Sequence, residues 1–589
     1  MNTDHITKLM KHIHYIYVLA GCLLMSCSKD YLDRLPESSI APEASFKTEK
    51  DLALFTKSFY DVAFPSAEGV YNESVDNIVK ATLDDELTGK RQVPISGGGW
   101  TWGNLRNINY FLENCFTTVP EAAAAPYAAE ARFFRAYFYF DKLKRFGDVP
   151  WYDKVIDQND EEQLKKPRDP RTLVVTNILA DLDYAIEHLS STKSDEKITK
   201  WTALALKSRV ALFEGTFRKY HIEFNLPDAD KLLEQAADAA NKVIEGKQYS
   251  IYNAAGATSY GALFYSVNSI PQEVILARKF SDALQIWHNV NYYTITASYG
   301  KPGLDKNLVD SYLMKDGSRF TDKANYATMT FKEEIVDRDP RLSQTIRTPG
   351  YRRIGGSANL SPNFGNSVTG YQLIKFVGDV KYDNFNRSEN DMPIFRYAEV
   401  LLNYAEAKAE LGTLSQSDID KSIKLLRDRV SMPNLDLLKA NASPDAYLSK
   451  DYTHVSGANK GIILEIRRER RIELVMESFR WDDIMRWKNG QMVTRQFKGM
   501  YFPSTGKFDL DNDGKDDIWI YEGDRPTAPG IQLLKLGSEI LLENGNKGNV
   551  IINAHITKAF DENKDYLYPI PVQERQLNPN LTQNPYWGE

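Results

Sequence analysis

The sequence predicts a mostly α-helical protein, in which packed helix pairs form a scaffold for a loop-rich irregular half with a few short strands. Three observations carry that prediction. First, residues 129–150, AEARFFRAYFYFDKLKRFGDVP, set Phe133, Phe134, Tyr137, Phe138, Tyr139, Phe140 and Phe146 in one run without Gly or Pro before Gly147. Rings on nearly every side of a helix call for other helices around it, and Gly147 with Pro150 just beyond mark its stop. Second, three segments share one register of small and large residues: AEARFFRAYFYFDKL from Ala129, TALALKSRVALFEGT from Thr202 and YAEVLLNYAEAKAEL from Tyr397. Small residues let a neighbouring helix approach closely, as in stacked helical repeats. Third, residues 247–380 carry short β-type runs, at 273–277 and 371–377, between clusters of Gly, Asn, Ser and Pro.

Each element follows in chain order. Ile13 to Ser26 is a mostly apolar run behind Lys8 and Lys11. It has the length of a signal-peptide core and is too short for a secure membrane span. Two cysteines follow cleavable strings. Leu-Ala-Gly-Cys22 fits by residue type; Cys27 fits by context, because the apolar run continues to Met25 and polarity begins at Ser28. We take residues 1–26 as a lipoprotein signal peptide and Cys27 as the lipidated residue. More than one acyl chain there would anchor the protein stably. Residues 27–50 are a polar tether. Residues 51–246 form an N-terminal helical region, with helices predicted over 51–64, 104–116, an aromatic helix opened by Pro126, 171–189, 201–219 and 229–245. Residues 247–391 are a loop-rich ligand-binding region. Helices return over 392–411, 417–430 and 461–488 in a C-terminal region, 392–589, that carries a Gly- and Asp-rich insertion at 499–550.

A net charge of −7 argues against a general nucleic-acid binder. With three cysteines there is no disulfide framework and no CxxC metal pair, and Cys115 beside Leu112 and Phe116 reads as a buried thiol. No nucleophile elbow, HExxH or P-loop occurs, so no enzymatic activity is expected. Asp84-Asp85-Glu86 would serve a glycosidase only across a cleft at a set separation, and an acidic turn is the plainer reading. The run Arg467-Arg-Glu-Arg-Arg-Ile-Glu473 reads as intra-helix pairing on an exposed face, worth about 0.3–0.5 kcal/mol per pair.

Several segments resemble the SusD/RagB outer-membrane lipoproteins of Bacteroidota. They are Cys27-Ser-Lys-Asp-Tyr-Leu-Asp33, the aromatic stretch ending Phe146-Gly-Asp-Val-Pro150, Asp337 with Pro340-Arg341, Arg396 to Ala407, Arg467 to Leu474 with Arg480-Trp-Asp-Asp483, and Tyr568-Pro-Ile-Pro571 with Asn578-Pro-Asn580. They run in family order over essentially the whole mature chain. The resemblance implies a tetratricopeptide-like helical scaffold under a loop-rich binding half. It also implies a lipid-anchored protein on the outer face of the outer membrane, which binds a glycan, or a peptide or glycopeptide, and delivers it to a SusC-like TonB-dependent transporter. A secreted glycoside hydrolase is the reading from another class.

Two constellations are candidate sites. Sugars present apolar C–H faces, which suit flat rings beside hydrogen-bonding side chains. Trp100 and Trp102 lie beside a Gly-rich loop, and Trp287, Tyr292 and Tyr299 lie in an aromatic loop of the irregular half. These five, with Asn104 and Arg91 as polar helpers, are the ligand-binding candidates; packing against the scaffold is the alternative use of each ring. The second is Asp509-Leu-Asp511-Asn-Asp513-Gly514-Lys515-Asp-Asp517. Its carboxylates at positions 1, 3, 5 and 9, with Gly at 6 and the Lys515 carbonyl at 7, suit a structural calcium ion, although Ile520 stands where a bidentate Glu would close the loop. A solvated acidic turn is the alternative.

Overall fold

The computed structural model describes residues 46–588 other than Ser74, so the predicted signal peptide, Cys22, Cys27 and most of the tether lie outside the described residues. Eight helices of twelve or more residues occur among them: α1 Glu49–Ala63, α2 Gly103–Asn114, α3 Glu121–Phe146, α4 Arg171–His188, α5 Lys200–Tyr220, α6 Ala229–Glu245, α7 Tyr397–Glu410 and α8 Lys460–Glu473. Local chemistry sets their ends. Thr48 caps α1 in a capping box with Asp51, and Thr199 does the same for α5 with Thr202. Gly147 ends α3 at φ 72°. The aromatic helix starts at Glu121 rather than at Pro126, because EAAAA is strongly helix-forming and a proline this near the start removes little of the ladder.

The helices stack in sequence. α3 packs against α1, α2 and α4; α4 packs on α5, α5 on α6, α6 on α7 and α7 on α8. This is the expected tetratricopeptide-like scaffold. Its core contains Phe133, Phe134, Tyr139, Phe140 and Phe146, all nearly inaccessible. A second core lies under the middle and C-terminal segments around Tyr260, Leu304, Tyr371 and Met500, and a third lies around Ile462, Ile466 and Trp487. No helix of the described residues is long and apolar enough to cross a membrane.

Several predicted elements divide. Residues 392–411 form strand β2 Met392–Arg396 and then α7; β2 pairs antiparallel with β1 Val274–Arg278, Val274 opposite Arg396 and Arg278 opposite Met392. Pro393 drives Met392 from the helical region, and Ile394 and Phe395 continue the extension. Residues 371–377 form no strand: Gln372 and Leu373 make isolated bridges, and Phe376 turns the chain at φ 67°. Residues 461–488 break into α8 and a short helix, Arg480–Arg486, at Met476 and Ser478, both at positive φ. The predicted helix at 417–430 splits into Gln416–Asp420 and Ile423–Arg429. The 499–550 insertion is a small β unit. In it β3 Phe497–Phe502 pairs with β7 Gly548–Ile552, and β4 Gly506–Phe508, β5 Ile518–Tyr521 and β6 Gln532–Lys535 make a three-stranded sheet.

The charged run of α8 is also corrected. Every residue from Arg467 to Glu473 is buried, and the pairs mostly reach other segments. Arg470 binds Asp483 at 2.9 Å, Arg471 binds Asp76 at 3.1 Å, and Glu469 accepts from Arg341 and Arg427. Glu473 accepts from Arg396, Arg429 and Arg341 at 2.7, 2.6 and 3.0 Å. Burial opposes ionisation of Glu473, but the three guanidiniums overcome it and hold the carboxyl well below its usual range. Alternating signs in a sequence do not say whether partners lie one turn away or on another segment.

Candidate ligand-binding cleft

A cleft of about 1040 Å³ opens between the α1–α3 layer and the loops of the second half. Its floor is α3. Tyr137, Phe138, Asp141, Lys144 and Arg145 recur at helical spacing and line the cleft together. Phe133, one turn before Tyr137 and stacked on it at 6.4 Å, is buried at the edge of this face, and Tyr139 is buried on the opposite side. The rings of Tyr137 and Phe138 are half-buried. The facing wall includes Trp481 and Asp482 of the short helix Arg480–Arg486. Lys144 Nζ donates to Asp482 Oδ2 at 2.7 Å and joins floor to wall. Beneath, Arg480 donates to both oxygens of the buried Asp76 at 2.7 and 2.6 Å, which fixes the wall helix. Burial penalises the Asp76 charge, but Arg480, Arg471 and Arg495 more than offset it and lower the carboxyl's pKa.

The predicted ligand residues fall into three groups. Asn104 and Tyr299 line the cleft. Tyr299 anchors a chain of rings: Tyr71 at 4.7 Å, Tyr293 at 4.8 Å, then Tyr292 at 5.8 Å from Tyr293 and Phe385 at 5.6 Å from Tyr292. Tyr292 thus supports Tyr299 from behind and lines no described cavity. Arg91 lines an adjoining pocket of about 540 Å³, which shares Asp84, Glu86, Arg145 and Tyr568 with the cleft. Its guanidinium is tied down, donating to Asp565 at 3.0 Å and lying over Tyr568 at 4.3 Å.

The tryptophans depart from expectation. Trp100 is 4% exposed and meets Phe146 edge-on at 4.9 Å. Trp102 is half-buried on Phe138, Tyr139 and Tyr152. The glycine loop does not display them. It folds over the end of α3, where the Gly98 and Gly99 carbonyls accept from Arg145 Nε at 2.9 Å and Lys142 Nζ at 2.5 Å, so both indoles turn onto α3. Trp287 donates to Asp282 at 2.8 Å, lies 5.2 Å from the Arg387 guanidinium and lines neither cavity.

Asp84 pairs with Lys80 at 3.7 Å, and Glu86 accepts from the Tyr568 hydroxyl at 3.0 Å. Both carboxylates are engaged, which suits orienting hydroxyl groups. In the β4–β5 loop, Asp509, Asp511 and Asp517 place one carboxylate oxygen each within 4.8 Å of one another. Burial, then the charges of Asp517, Asp513 and Asp509, raises the Asp511 pKa. Asp513 turns instead to Lys515, accepting from its backbone amide at 2.8 Å. Three of the five predicted metal-binding residues therefore converge.

Comparison with known proteins places this geometry. The family model described as the SusD family matches residues 272–587, more than half of the chain. The chain belongs to the SusD family. A second model, described as starch-binding associating with outer membrane, matches residues 99–212, which include α3. The SusD-like protein P2 of Formosa agariphila is 24% identical, covering 98% of this chain and 99% of its own. A SusD-like protein of Bacteroides ovatus is 24% identical over 88% of this chain and 90% of its own. Among solved structures, a SusD-like protein of Bacteroides fragilis superposes with a TM-score of 0.68 at 21% identity, covering 94% of this chain and all of its own. A SusD-like protein described as laminarin-binding superposes at 0.56, with 17% identity and 92% and 100% coverage. These likenesses fix the fold. The cleft-lining roles of Tyr137, Phe138 and Trp481 in this SusD-family chain were missed from sequence. The signal available was that a helix ringed by aromatics on all sides has one face left over when its neighbours cover the others.

Proposed function

We propose that this SusD-family chain binds a glycan in the cleft floored by α3. It would act as a lipid-anchored capture protein on the outer face of the outer membrane and deliver the glycan to a SusC-like TonB-dependent transporter. The observation that carries the reading is the composition of the cleft. The half-buried faces of Tyr137, Phe138, Tyr299 and Trp481 stand beside Asn104, Asp141, Lys144 and Asp482. Flat apolar surfaces among fixed donors and acceptors match the alternating C–H and hydroxyl faces of sugars. The carbohydrate wording of the matching family model and of the laminarin-binding neighbour supports the same ligand class. In this reading the protein binds without turnover, and the loop 509–517 holds a structural calcium ion.

A glycan array followed by calorimetry on the purified chain tests the proposal. Binding without release of new reducing ends is expected. Turnover of a bound glycan would make the chain a hydrolase, and exclusive retention of peptides would move the ligand class to the peptide alternative.

A further inference from the structure

We propose that Arg145 reads an anionic substituent, a carboxylate or a sulfate ester, on the glycan; this rests on the glycan reading above and names its charge class. Arg145 lies where the cleft and the adjoining pocket meet, lining both. Three contacts hold it. Its guanidinium stacks over Tyr568 at 3.9 Å, its Nε donates to the Gly98 carbonyl at 2.9 Å, and its own carbonyl accepts from the Tyr568 amide at 2.7 Å. The loop that grips it requires glycine. Gly98 and Gly99 have φ of 57° and 87°, and a Cβ on Gly99 would lie 2.7 Å from Arg145 Nε.

The gripped fork carries no countercharge. Arg145 makes no carboxylate pair among the described residues, and its two terminal nitrogens have no hydrogen-bond partner there. Among the other cations of these cavities, Lys144 is neutralised by Asp482 at 2.7 Å, Arg209 by Glu399 at 2.6 Å and Arg91 by Asp565 at 3.0 Å, whereas Arg278 makes no carboxylate pair among the described residues and donates to the Phe64 and Pro65 carbonyls. Lys142, one turn before Arg145, is also without a carboxylate; it donates to the Gly99 carbonyl. Burial, and the charge of Arg145 against the pull of Asp141, lowers its pKa. Of the acidic residues nearby, Glu86 is occupied by Tyr568 and Asp84 by Lys80. Two cations one turn apart, one a planar fork held rigid with its outer donors free, are the arrangement that recognises a carboxylate or sulfate in bidentate fashion.

The test uses matched oligosaccharides: a neutral glucan, a polygalacturonate and a sulfated galactan, titrated by calorimetry into the chain and its Arg145→Gln and Arg145→Lys variants, with thermal melts of each. An acidic glycan should bind wild type about tenfold more tightly than the neutral one, and Arg145→Gln should lose about that factor on the acidic glycan alone. Arg145→Lys, which keeps the charge and loses the fork, should fall between, so a poorly folded Arg145→Gln still leaves a readout. Whichever of polygalacturonate and sulfated galactan responds identifies the anion. Neutral binding that matches or exceeds acidic binding, with no change in either variant, overturns the anion assignment and leaves the glycan reading standing. Binding of none of the three overturns both.

Discussion

Replacing Phe133 and Phe138 with alanine separates the two jobs of α3. Phe133 is 0% exposed and touches Phe134 at 5.7 Å and Phe395 at 6.4 Å, so it joins the scaffold to strand β2. Phe133→Ala removes a fully buried ring from packed surroundings and should cost about 3–5 kcal/mol. Phe138 is half-buried, with its inner side on Tyr139 at 5.5 Å and Trp102 at 5.8 Å. Only part of its area is lost to water, so Phe138→Ala should cost about 1–2 kcal/mol of stability. Its cleft-facing surface should matter to the ligand: losing one well-placed ring costs about 1.4 kcal/mol, or tenfold in Kd. Urea denaturation gives the first quantity and calorimetry with the best glycan gives the second. Phe133→Ala should be much less stable with nearly unchanged affinity, and Phe138→Ala the reverse. Equal destabilisation of both variants with unchanged affinity in Phe138→Ala would return α3 to a purely structural role.

Three further predictions follow from buried and acidic groups. Glu473→Gln removes the charge shared by Arg396, Arg429 and Arg341, and stranding buried guanidiniums should cost about 3–5 kcal/mol in urea titrations; a change below about 1 kcal/mol would mean that water reaches the cluster. His288 donates from Nε2 to the Asn390 carbonyl at 3.0 Å and accepts the Val290 amide at Nδ1, so it is held neutral, and burial lowers its pKa from 6.5 to about 4. A depressed histidine pKa contributes stability that is complete above the unfolded value and lost as pH falls through the folded one, so about 3 kcal/mol should vanish between pH ~6.5 and ~4; His288→Gln should flatten that slope, and an unchanged slope would assign the acid loss elsewhere. Calcium should slow amide exchange across 509–517, with EDTA reversing the effect and Asp511→Asn abolishing it; identical exchange with and without the ion would leave the loop a solvated turn.

Legibility differed by level. The helical stack was readable because α3, α5 and α7 carry close-packing patterns over many residues, and α6 matched its predicted bounds at Ala229–Glu245. The 392–411 segment was read as one helix because its first four residues are apolar, which suits either state; Pro393 and the partner strand at Val274–Arg278 together make them extended. Asn104 and Tyr299 do line the cleft, Asn104 because it opens α2 just after the glycine loop and Tyr299 because an aromatic in the irregular half has few helices to cover it. Trp100 was misread because exposure beside a glycine loop depends on which way the loop folds, and here Arg145 and Lys142 draw it inward. The partners of Glu473 come from segments 44–132 residues away, a separation that no local pattern encodes.

The proposed dual use of α3 follows from what a glycan site would need. A sugar chain offers many weak contacts, so affinity depends on holding rings and donors still before the ligand arrives. A loop such as 281–288, with Leu284 71% exposed, gives a ring few neighbours to fix it. A face of α3 fixes Tyr137 and Phe138 through the buried Phe134, Tyr139 and Phe140 beside them on the same helix. The wall is fixed the same way, since Trp481 sits one residue after Arg480, whose guanidinium is clamped on Asp76. Rigid floor and wall meet at the Lys144–Asp482 pair, so Lys144→Ala should loosen the wall and weaken binding even where the ligand never touches Lys144. Unchanged affinity in that variant, with Phe138→Ala still impaired, would show that the floor alone organises the site.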